Sequence, residues 1–203
     1  MSASQSASGF SIALLGGGTV GAAVARGLVS RYEEWGIDIA GIAVRDVAKA
    51  EAAGLDRIAP LSTDPLALAA SDVDLVVELM GGLDPALPVV EGALKAGRPV
   101  VTANKLLLAN FGARLEALAR ASGAALRFES AVAAGVPVIG VLARDMAANE
   151  ITSIKGIING TTNYILTKME SEGWSYEQAL AEAQKIGYAE ADPRSDVEGE
   201  DAA

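Results

Sequence analysis

Three glycines near the start of the chain have the spacing of a phosphate-binding loop. Gly16, Gly18 and Gly21 form a GxGxxG pattern between an apolar run, FSIALL, and a segment with apolar residues at helical spacing. In such a loop the first glycine permits a tight turn, the second lets a pyrophosphate approach the backbone, and the third allows close packing of the helix. The helix N-terminus, with Thr19 and Val20, would face the phosphates. The pattern therefore predicts dinucleotide binding, and a purely structural strand–helix turn is the alternative.

Two charged residues at the predicted end of the second strand bear on which dinucleotide binds. NAD-binding units usually place an acidic residue there, where it bonds the ribose 2′-hydroxyl. This strand ends AVRD, with Arg45 at the expected position and Asp46 next to it. An arginine can hold a 2′-phosphate through two parallel hydrogen bonds, which favours NADP. In the alternative interpretation Arg45 is a solvated charge and Asp46 contacts the ribose.

The end of the chain concentrates negative charge. Residues 190–203 contain six carboxylates against one arginine, and so account for −5 of the formal net charge of −10. The residues alone leave two interpretations open. The segment is either a solvated acidic tail or part of an active site.

Composition excludes several other kinds of chemistry. The chain has no cysteine and no histidine. Disulfides, thiolate nucleophiles, thiolate or imidazole metal sites and a histidine general base are therefore excluded. The lysines and arginines do not cluster, so a nucleic-acid partner is not expected.

The chain is 51% hydrophobic, enough to bury a sizeable core. No stretch reaches the roughly 20 apolar residues of a membrane span, so no membrane partner is expected. Residues 1–9 are rich in serine and alanine and lack the features of a signal peptide. We predict a disordered leader on a soluble, cytoplasmic protein.

Apolar runs of strand length alternate with helical patterns over residues 10–134. We predict five strands in this part, each reading as a continuous apolar run, as strands covered on both faces do. The alternation predicts an α/β fold, a Rossmann-type doubly wound parallel sheet with right-handed crossovers. After about Gly135 the pattern changes. PVIGVLARDMA predicts a helix, EITSIKGIING a strand, and TTNYILTKMESEG and SYEQALAEAQKIG two helices, so residues 135–203 are predicted to begin an incomplete α+β domain.

Four stretches, taken together, resemble homoserine dehydrogenases. They are GGGTVG, VTANK at Val101–Lys105, NGTTNYIL at Asn159–Leu166, and the acidic end from Gly187 to Ala203. They follow the family's order at compatible spacing, and the likeness runs from about Ile12 to Ala203. The resemblance implies reversible reduction of L-aspartate 4-semialdehyde to L-homoserine with NADP or NAD as cofactor, on the route to threonine, isoleucine and methionine. It also implies that residues 135–203 begin a substrate and dimerisation domain, in a homo-oligomeric whole protein.

The resemblance also assigns roles to individual residues. Lys105 and Asp201 are implied to act in catalysis, with Asp201 holding substrate and supporting an acid–base lysine. The implied cofactor contacts are Gly16, Gly18, Thr19, Val20, Gly21, Arg45, Gly81, Thr102, Lys105 and Gly187. The implied substrate contacts are Glu190, Asp192, Asp196 and Asp201. Carboxylates at these positions could pair with the ammonium group of the small-molecule substrate.

The family further holds a monovalent cation, expected to be sodium, just after the fifth predicted strand. The implied ligands are the carboxylate of Glu129 and backbone carbonyls at Val132, Ala134 and Val136. Oxygen ligands suit a hard cation. Without the resemblance the same residues would be interpreted as an ordinary loop.

One feature of the family falls beyond the chain. Its proton-transferring lysine lies four residues after the aspartate at Asp201, at what would be position 205, and the sequence ends at Ala203. We therefore expect a truncated part of a longer enzyme, whose own activity is open. The alternatives are a non-catalytic dinucleotide-binding module and a structural oligomerisation fragment that binds no cofactor. A semialdehyde dehydrogenase that forms an acyl phosphate is disfavoured, because it needs a nucleophilic cysteine.

Overall fold

The computed structural model describes residues 9–133, 135–189, 192–199 and 201. The strands of this part are β1 (Phe10–Leu15), β2 (Ile37–Ala43), β3 (Leu61–Ser62), β4 (Leu75–Glu78), β5 (Val100–Thr102) and β6 (Leu126–Arg127). The α-helices are α1 (Thr19–Ser30), α2 (Tyr32–Trp35), α3 (Val47–Ala52), α4 (Pro65–Ala70), α5 (Ala86–Lys95), α6 (Lys105–Ser122), α7 (Gly160–Glu172), α8 (Tyr176–Lys185) and α9 (Arg194–Val197). Shorter turns are 3-10 helical at Leu55–Arg57 and Glu129–Ala131, and π-helical at Val141–Asp145. None of these described helices is long and apolar enough to cross a membrane.

The strands form one parallel sheet in the order β3-β2-β1-β4-β5-β6. This is the order of a doubly wound dinucleotide-binding fold, so the predicted Rossmann-type sheet is confirmed. The order reverses between β1 and β4, which lie side by side with Leu15 opposite Glu78. In open α/β sheets, ligands bind outside the carboxyl ends of the strands at this switch point.

Apolar side chains are buried on both faces of the sheet. Leu14 and Leu15 are neighbours in β1 and both are fully buried, on opposite faces because side chains alternate along a strand. Leu15 packs with Leu94 of α5 and Leu115 of α6, whereas Leu14 packs with residues of α1 and α3. Burial of a leucine stabilises the fold by about 1.5–3 kcal/mol. Coverage of both faces explains why the strands read as continuous apolar runs.

Two strand expectations differ from the structure. The sheet contains β3, a two-residue edge strand that the sequence pattern did not indicate because so short a run has no readable period. The strand expected within residues 150–160 is wrong, because residues 151–159 are neither strand nor helix. A strand needs a hydrogen-bonded neighbouring strand, and the described residues after β6 contain no strand that could pair with this segment. Its isoleucines at 154, 157 and 158 are exposed.

The chain divides into two compact units, the first ending at Ala147 and the second beginning at Ala148. In the second unit Ile165 of α7 packs against Ala179 and Ala183 of α8. Helices supply the regular structure of its described residues. The functional division predicted between residues 134 and 135 stays a prediction, and the predicted leader lies outside the described residues except for its last position, residue 9.

Candidate functional site

The glycine loop after β1 depends on two glycines that face backbone atoms. Gly16 has φ of +111°, which favours glycine, and a Cβ there would lie 2.5 Å from the carbonyl oxygen of Leu79. A Cβ on Gly21 would lie 1.8 Å from the carbonyl oxygen of Gly16. Ordinary contacts of a Cβ begin at about 3.4 Å. The first and third glycines therefore allow the loop after β4, the glycine loop and α1 to approach one another.

Gly18 differs from both, because a Cβ there would meet no atom within 4 Å. It is the N-cap residue of α1 and is exposed, as are Thr19 and Val20 in the first helical turn. The first N–H groups of a helix lack partners within the helix and favour negative charge. The space beside Gly18 therefore suits a phosphate group that approaches the N-terminus of α1.

The end of β2 lies against this loop. The N–H of Gly16 donates to the carbonyl oxygen of Ala43 at 2.9 Å. A Cβ on Gly17 would lie 2.6 Å from a methyl group of Val44. Arg45 is the next residue and its side chain is exposed. Arg45, the residue predicted to bind the 2′-phosphate, therefore directly follows Val44, which packs against the glycine loop.

Asp46, the alternative ribose ligand, has a structural partner. It is the N-cap residue of α3, and its carboxylate accepts the N–H of Lys49 at 2.9 Å. An N-cap aspartate typically stabilises a helix by about 1 kcal/mol. This hydrogen bond explains an aspartate at position 46 without a cofactor. For the Arg45 side chain, no hydrogen bond or ion pair to another described residue is found.

A buried carboxylate lies at the ends of β4 and β5. Glu78 is fully buried, and one of its oxygens accepts the hydroxyl of Thr102, also fully buried, at 2.5 Å. Its other oxygen accepts the N–H groups of Met80 at 2.8 Å and Gly81 at 3.3 Å. The Thr102 oxygen accepts the N–H of Asn104 at 3.0 Å. These bonds join the loop after β4 to the loop after β5, beneath the switch point.

Lys105 is the first residue of α6, and its neighbour Asn104 sets its position. Asn104 is the N-cap residue, and its side-chain oxygen accepts the N–H of Leu107 at 3.1 Å. Its side-chain NH₂ donates to the carbonyl oxygen of Gly82 at 2.6 Å. Lys105 itself is exposed at the carboxyl edge of the sheet. The predicted catalytic lysine therefore begins a helix whose N-cap residue is hydrogen-bonded both to α6 itself and to the loop after β4.

Glu129, the predicted cation ligand, accepts three backbone N–H groups. One carboxylate oxygen accepts from Val138 at 2.6 Å and Ile139 at 2.9 Å, and the other from Gly140 at 2.8 Å. The N–H of Val138, then that of Gly140, lower the pKa of Glu129, and the nearby guanidinium of Arg144 acts in the same direction. The carboxylate thus holds the chain at the start of the π-helical turn. Among the described residues, no group of three or more acidic side chains is placed to hold a metal ion.

In the second unit, one amide joins two of the predicted substrate carboxylates. The side-chain NH₂ of Asn159 donates to Asp196 at 2.9 Å and to Asp201 at 3.0 Å. The side-chain oxygen of the same residue caps α7, accepting the N–H of Thr162 at 2.8 Å. Asn159 is only 7% exposed. The acidic end is therefore folded back onto the NGTTNYIL motif, and the solvated-tail interpretation does not fit these two carboxylates.

These carboxylates line a cavity of about 590 Å³. Its wall includes Thr161, whose hydroxyl donates to the carbonyl oxygen of Tyr188 at 2.9 Å. The rings of Tyr164 and Tyr188 meet edge to face with centroids 5.2 Å apart. Carboxylates, hydroxyl groups and aromatic faces suit a small polar molecule that carries a positive charge.

Other predicted site residues are placed differently or lie outside the described residues. Asp192 is exposed and pairs with Arg194, whose hydrogen bonds lower the pKa of Asp192. Gly187 follows α8 with φ of +79° and is exposed. Glu190 and Ala134 lie outside the described residues.

Sequence reasoning missed three residues that organise these sites. Glu78 could have been noticed as the charged end of an otherwise apolar strand, LVVE. Asn104 and Asn159 each directly precede a helix, which is the position of an N-cap residue. Nothing local to these residues shows their distant partners.

Comparison with known proteins matches both parts of the chain to one family. The family model described as homoserine dehydrogenase, NAD binding domain, matches residues 16–129, and the model described as homoserine dehydrogenase matches residues 137–203. The homoserine dehydrogenase of Corynebacterium glutamicum is 48% identical over 201 residues, which cover 95% of this chain and 44% of that protein. That of Lactococcus lactis subsp. lactis is 43% identical over 200 residues, with 94% and 46% covered.

Solved structures give the same result. The crystal structure of a homoserine dehydrogenase from Thiobacillus denitrificans superposes with a TM-score of 0.86 at 44% identity, covering 95% of this chain and 46% of that one. A hyperthermophilic archaeal homoserine dehydrogenase in complex with NADPH superposes with a TM-score of 0.80 at 32% identity, covering 95% and 66%. This chain spans slightly less than half the length of the curated relatives it matches. The glycine loop, the lysine after β5 and the folded acidic end thus occur in a chain that belongs to the homoserine dehydrogenase family.

Proposed function

We propose that this chain carries the cofactor-binding part and the first substrate-binding groups of an enzyme that reversibly reduces L-aspartate 4-semialdehyde to L-homoserine with NADPH or NADH. The observation that carries the proposal is the glycine loop at the switch point in a chain of this family. Of the three glycines of its GxGxxG pattern, only Gly18 has no neighbouring atom within 4 Å of an added Cβ, so this position has room for a phosphate group. The homologue solved in complex with NADPH supports the same cofactor class.

The residues present fit a dinucleotide. Backbone atoms occupy the space where a side chain at Gly16 or Gly21 would lie. The corresponding space at Gly18 is empty and lies beside the N-terminus of α1. Arg45 offers a guanidinium where the ribose of the adenosine would lie. When bound, the dihydronicotinamide supplies the hydride that reduces the aldehyde carbon.

The chain's own side chains would polarise the aldehyde and hold the substrate. The ammonium group of Lys105 is proposed to hydrogen-bond the aldehyde oxygen and to stabilise the negative charge that develops there as its carbon is reduced. The resemblance leaves the proton transfer itself to the acid–base lysine four residues after Asp201. Asp196 and Asp201 are the proposed partners of the substrate's ammonium group, since both line the polar cavity of the second unit. Glu190, Asp192 and Gly187 stay predicted contacts.

Turnover tests this proposal. We expect any oxidation of NADPH by the purified chain to require L-aspartate 4-semialdehyde, with the Corynebacterium glutamicum homoserine dehydrogenase as positive control. Lys105→Met should lower kcat by about 100-fold or more, because it removes the ammonium group that stabilises the developing charge on the aldehyde oxygen, at nearly constant side-chain length. NADPH binding without turnover would instead support a non-catalytic dinucleotide-binding module. A chain that binds no dinucleotide would contradict the proposal altogether.

Of the two dinucleotides, NADP is proposed to be the preferred cofactor. Arg45→Ala should weaken NADPH binding by about tenfold or more, since a charge-assisted pair of hydrogen bonds to phosphate is lost, and should change NADH binding by less than about twofold. Arg120→Ala is the matched control. It removes the same charge from the C-terminal turn of α6, the end of the helix that lies away from the proposed cofactor site, and there Arg120 pairs with Glu116. Equal losses for both dinucleotides in titrations followed by fluorescence would argue against a 2′-phosphate contact.

A monovalent cation, proposed to be sodium, is proposed to bind at Glu129, where this carboxylate is the one side-chain ligand proposed. Three of the four lone pairs of the Glu129 carboxylate accept backbone N–H groups, which leaves one for a cation. Backbone carbonyls at Val132 and Val136 are the further ligands proposed. Oxygen donors of this kind suit a weakly bound hard cation.

The whole protein is proposed to be a homo-oligomer. The observation that supports this is the exposure of three isoleucines in one segment of the second unit, Ile154, Ile157 and Ile158, at 68–71% each. Contiguous exposed apolar side chains commonly mark association surfaces. The cytoplasmic location stays a prediction.

A further inference from the structure

We infer that Glu78 is a positioning residue that acts through the Thr102 hydroxyl to hold the two loops receiving the nicotinamide half of the dinucleotide. The inference rests on the proposed function, since it assumes that a dinucleotide binds at the switch point. It assigns a role to Glu78, which belongs neither to the glycine loop nor to the predicted catalytic residues.

The position of Glu78 is costly for a carboxylate. The rest of β4 is apolar, and Glu78 itself is fully buried at its end. Burying a charged group costs free energy unless hydrogen bonds replace its water. An apolar residue would pack in such a strand at no such cost. What the carboxylate adds is a set of acceptors directed at neighbouring loops.

Those acceptors connect two separate segments. One oxygen holds the N–H groups of Met80 and Gly81 in the loop after β4, and the other holds the hydroxyl of Thr102. Thr102 in turn accepts the N–H of Asn104, the residue before Lys105. A change at Glu78 is therefore transmitted to both loops at once.

The hydroxyl of Thr102 is already in use. It has a single hydrogen, which it donates to Glu78, and one of its two lone pairs accepts the N–H of Asn104. Its side chain is also fully buried. Thr102 therefore affects the cofactor through the loop that it holds, rather than by donating a hydrogen bond to the cofactor.

The loops belong to one half of the binding site. A doubly wound sheet consists of two mononucleotide-binding halves that meet at the switch point. The glycine loop and Arg45 follow β1 and β2, in the half proposed to bind the adenosine end. The loops held by Glu78 follow β4 and β5, in the half left for the nicotinamide end. A local positioning role should therefore affect NADPH and spare a ligand that lacks nicotinamide.

The experiment compares NADPH with adenosine 2′,5′-bisphosphate, which retains only the adenosine end. Dissociation constants are measured by calorimetry for the unchanged chain and for Thr102→Val, Thr102→Ser and Glu78→Gln. Thr102→Val removes the hydroxyl at constant shape, and Thr102→Ser restores it. Glu78→Gln keeps the shape and removes the charge, so it carries the test if Thr102→Val fails to fold.

We expect Thr102→Val and Glu78→Gln to weaken NADPH binding by about tenfold, because buried partners lose hydrogen bonds, with the bisphosphate affected less than about twofold. Thr102→Ser should stay within about threefold of the unchanged chain for both ligands. Unchanged NADPH binding in the variants would overturn the inference, and so would equal losses for both ligands, which indicate general destabilisation. An unchanged chain that binds neither ligand would refute the proposed function and the inference with it.

Discussion

Replacing Gly21 by alanine is expected to destabilise the first unit by about 3 kcal/mol and to abolish dinucleotide binding. The added Cβ would lie 1.8 Å from the carbonyl oxygen of Gly16, and the three nearest atoms it would meet all belong to the backbone of Gly16, so no flexible side chain can move away. Relief requires α1 to shift relative to the glycine loop, which displaces the helix N-terminus from the phosphate position. Urea unfolding gives the stability change, and NADPH titration gives the binding change.

Gly27→Ala is the matched control for this prediction. Gly27 lies in the same helix, is exposed, and has no atom within 4 Å of an added Cβ. Alanine there should raise the free energy of unfolding by about 0.5–1 kcal/mol, because it restricts the unfolded chain without a clash. If Gly21→Ala were as stable as Gly27→Ala, the close approach of α1 to the glycine loop would be refuted.

Asn159→Asp is expected to destabilise the fold of the acidic end by about 3 kcal/mol. Aspartate keeps the side-chain oxygen that caps α7, so the cap itself is retained. The amide NH₂, which donates to Asp196 and Asp201, becomes an oxygen that repels both carboxylates. The loss should be smaller at high salt, since screening weakens repulsion between partly exposed charges. Hydrogen exchange of α7 and α9 amides at low and high salt measures it.

Asn163→Asp provides the control for added charge. Asn163 also lies in the first turns of α7 and lines the same cavity, but it is exposed. The same substitution there should change stability by no more than about 0.5 kcal/mol. Equal effects at positions 159 and 163 would mean that added charge, and not loss of the amide bonds, decides stability. That result would refute the bridging role of Asn159.

Local pattern was enough to predict the cofactor-binding sheet. Each main strand was a continuous apolar run, and such runs follow from burial on both faces. The edge strand β3 was missed because two residues carry no period. The segment 151–159 has the composition of a strand, yet pairing is a property of its neighbours, and composition does not reveal them.

The sequence by itself therefore determined the Rossmann-type sheet, the positions of Gly16, Gly18 and Gly21, and the family. The strands and the glycine loop depend on residues close together in the chain, where spacing reports geometry directly. The family was identified from four short motifs and their order along the chain. Only the tertiary structure decided which polar groups meet. Thr102 bonds Glu78 across 24 residues, and Asn159 bonds Asp196 and Asp201 across 37 and 42 residues. Such pairs form because packing of strands and helices brings distant groups within hydrogen-bond distance, and that packing has no signature in local periodicity.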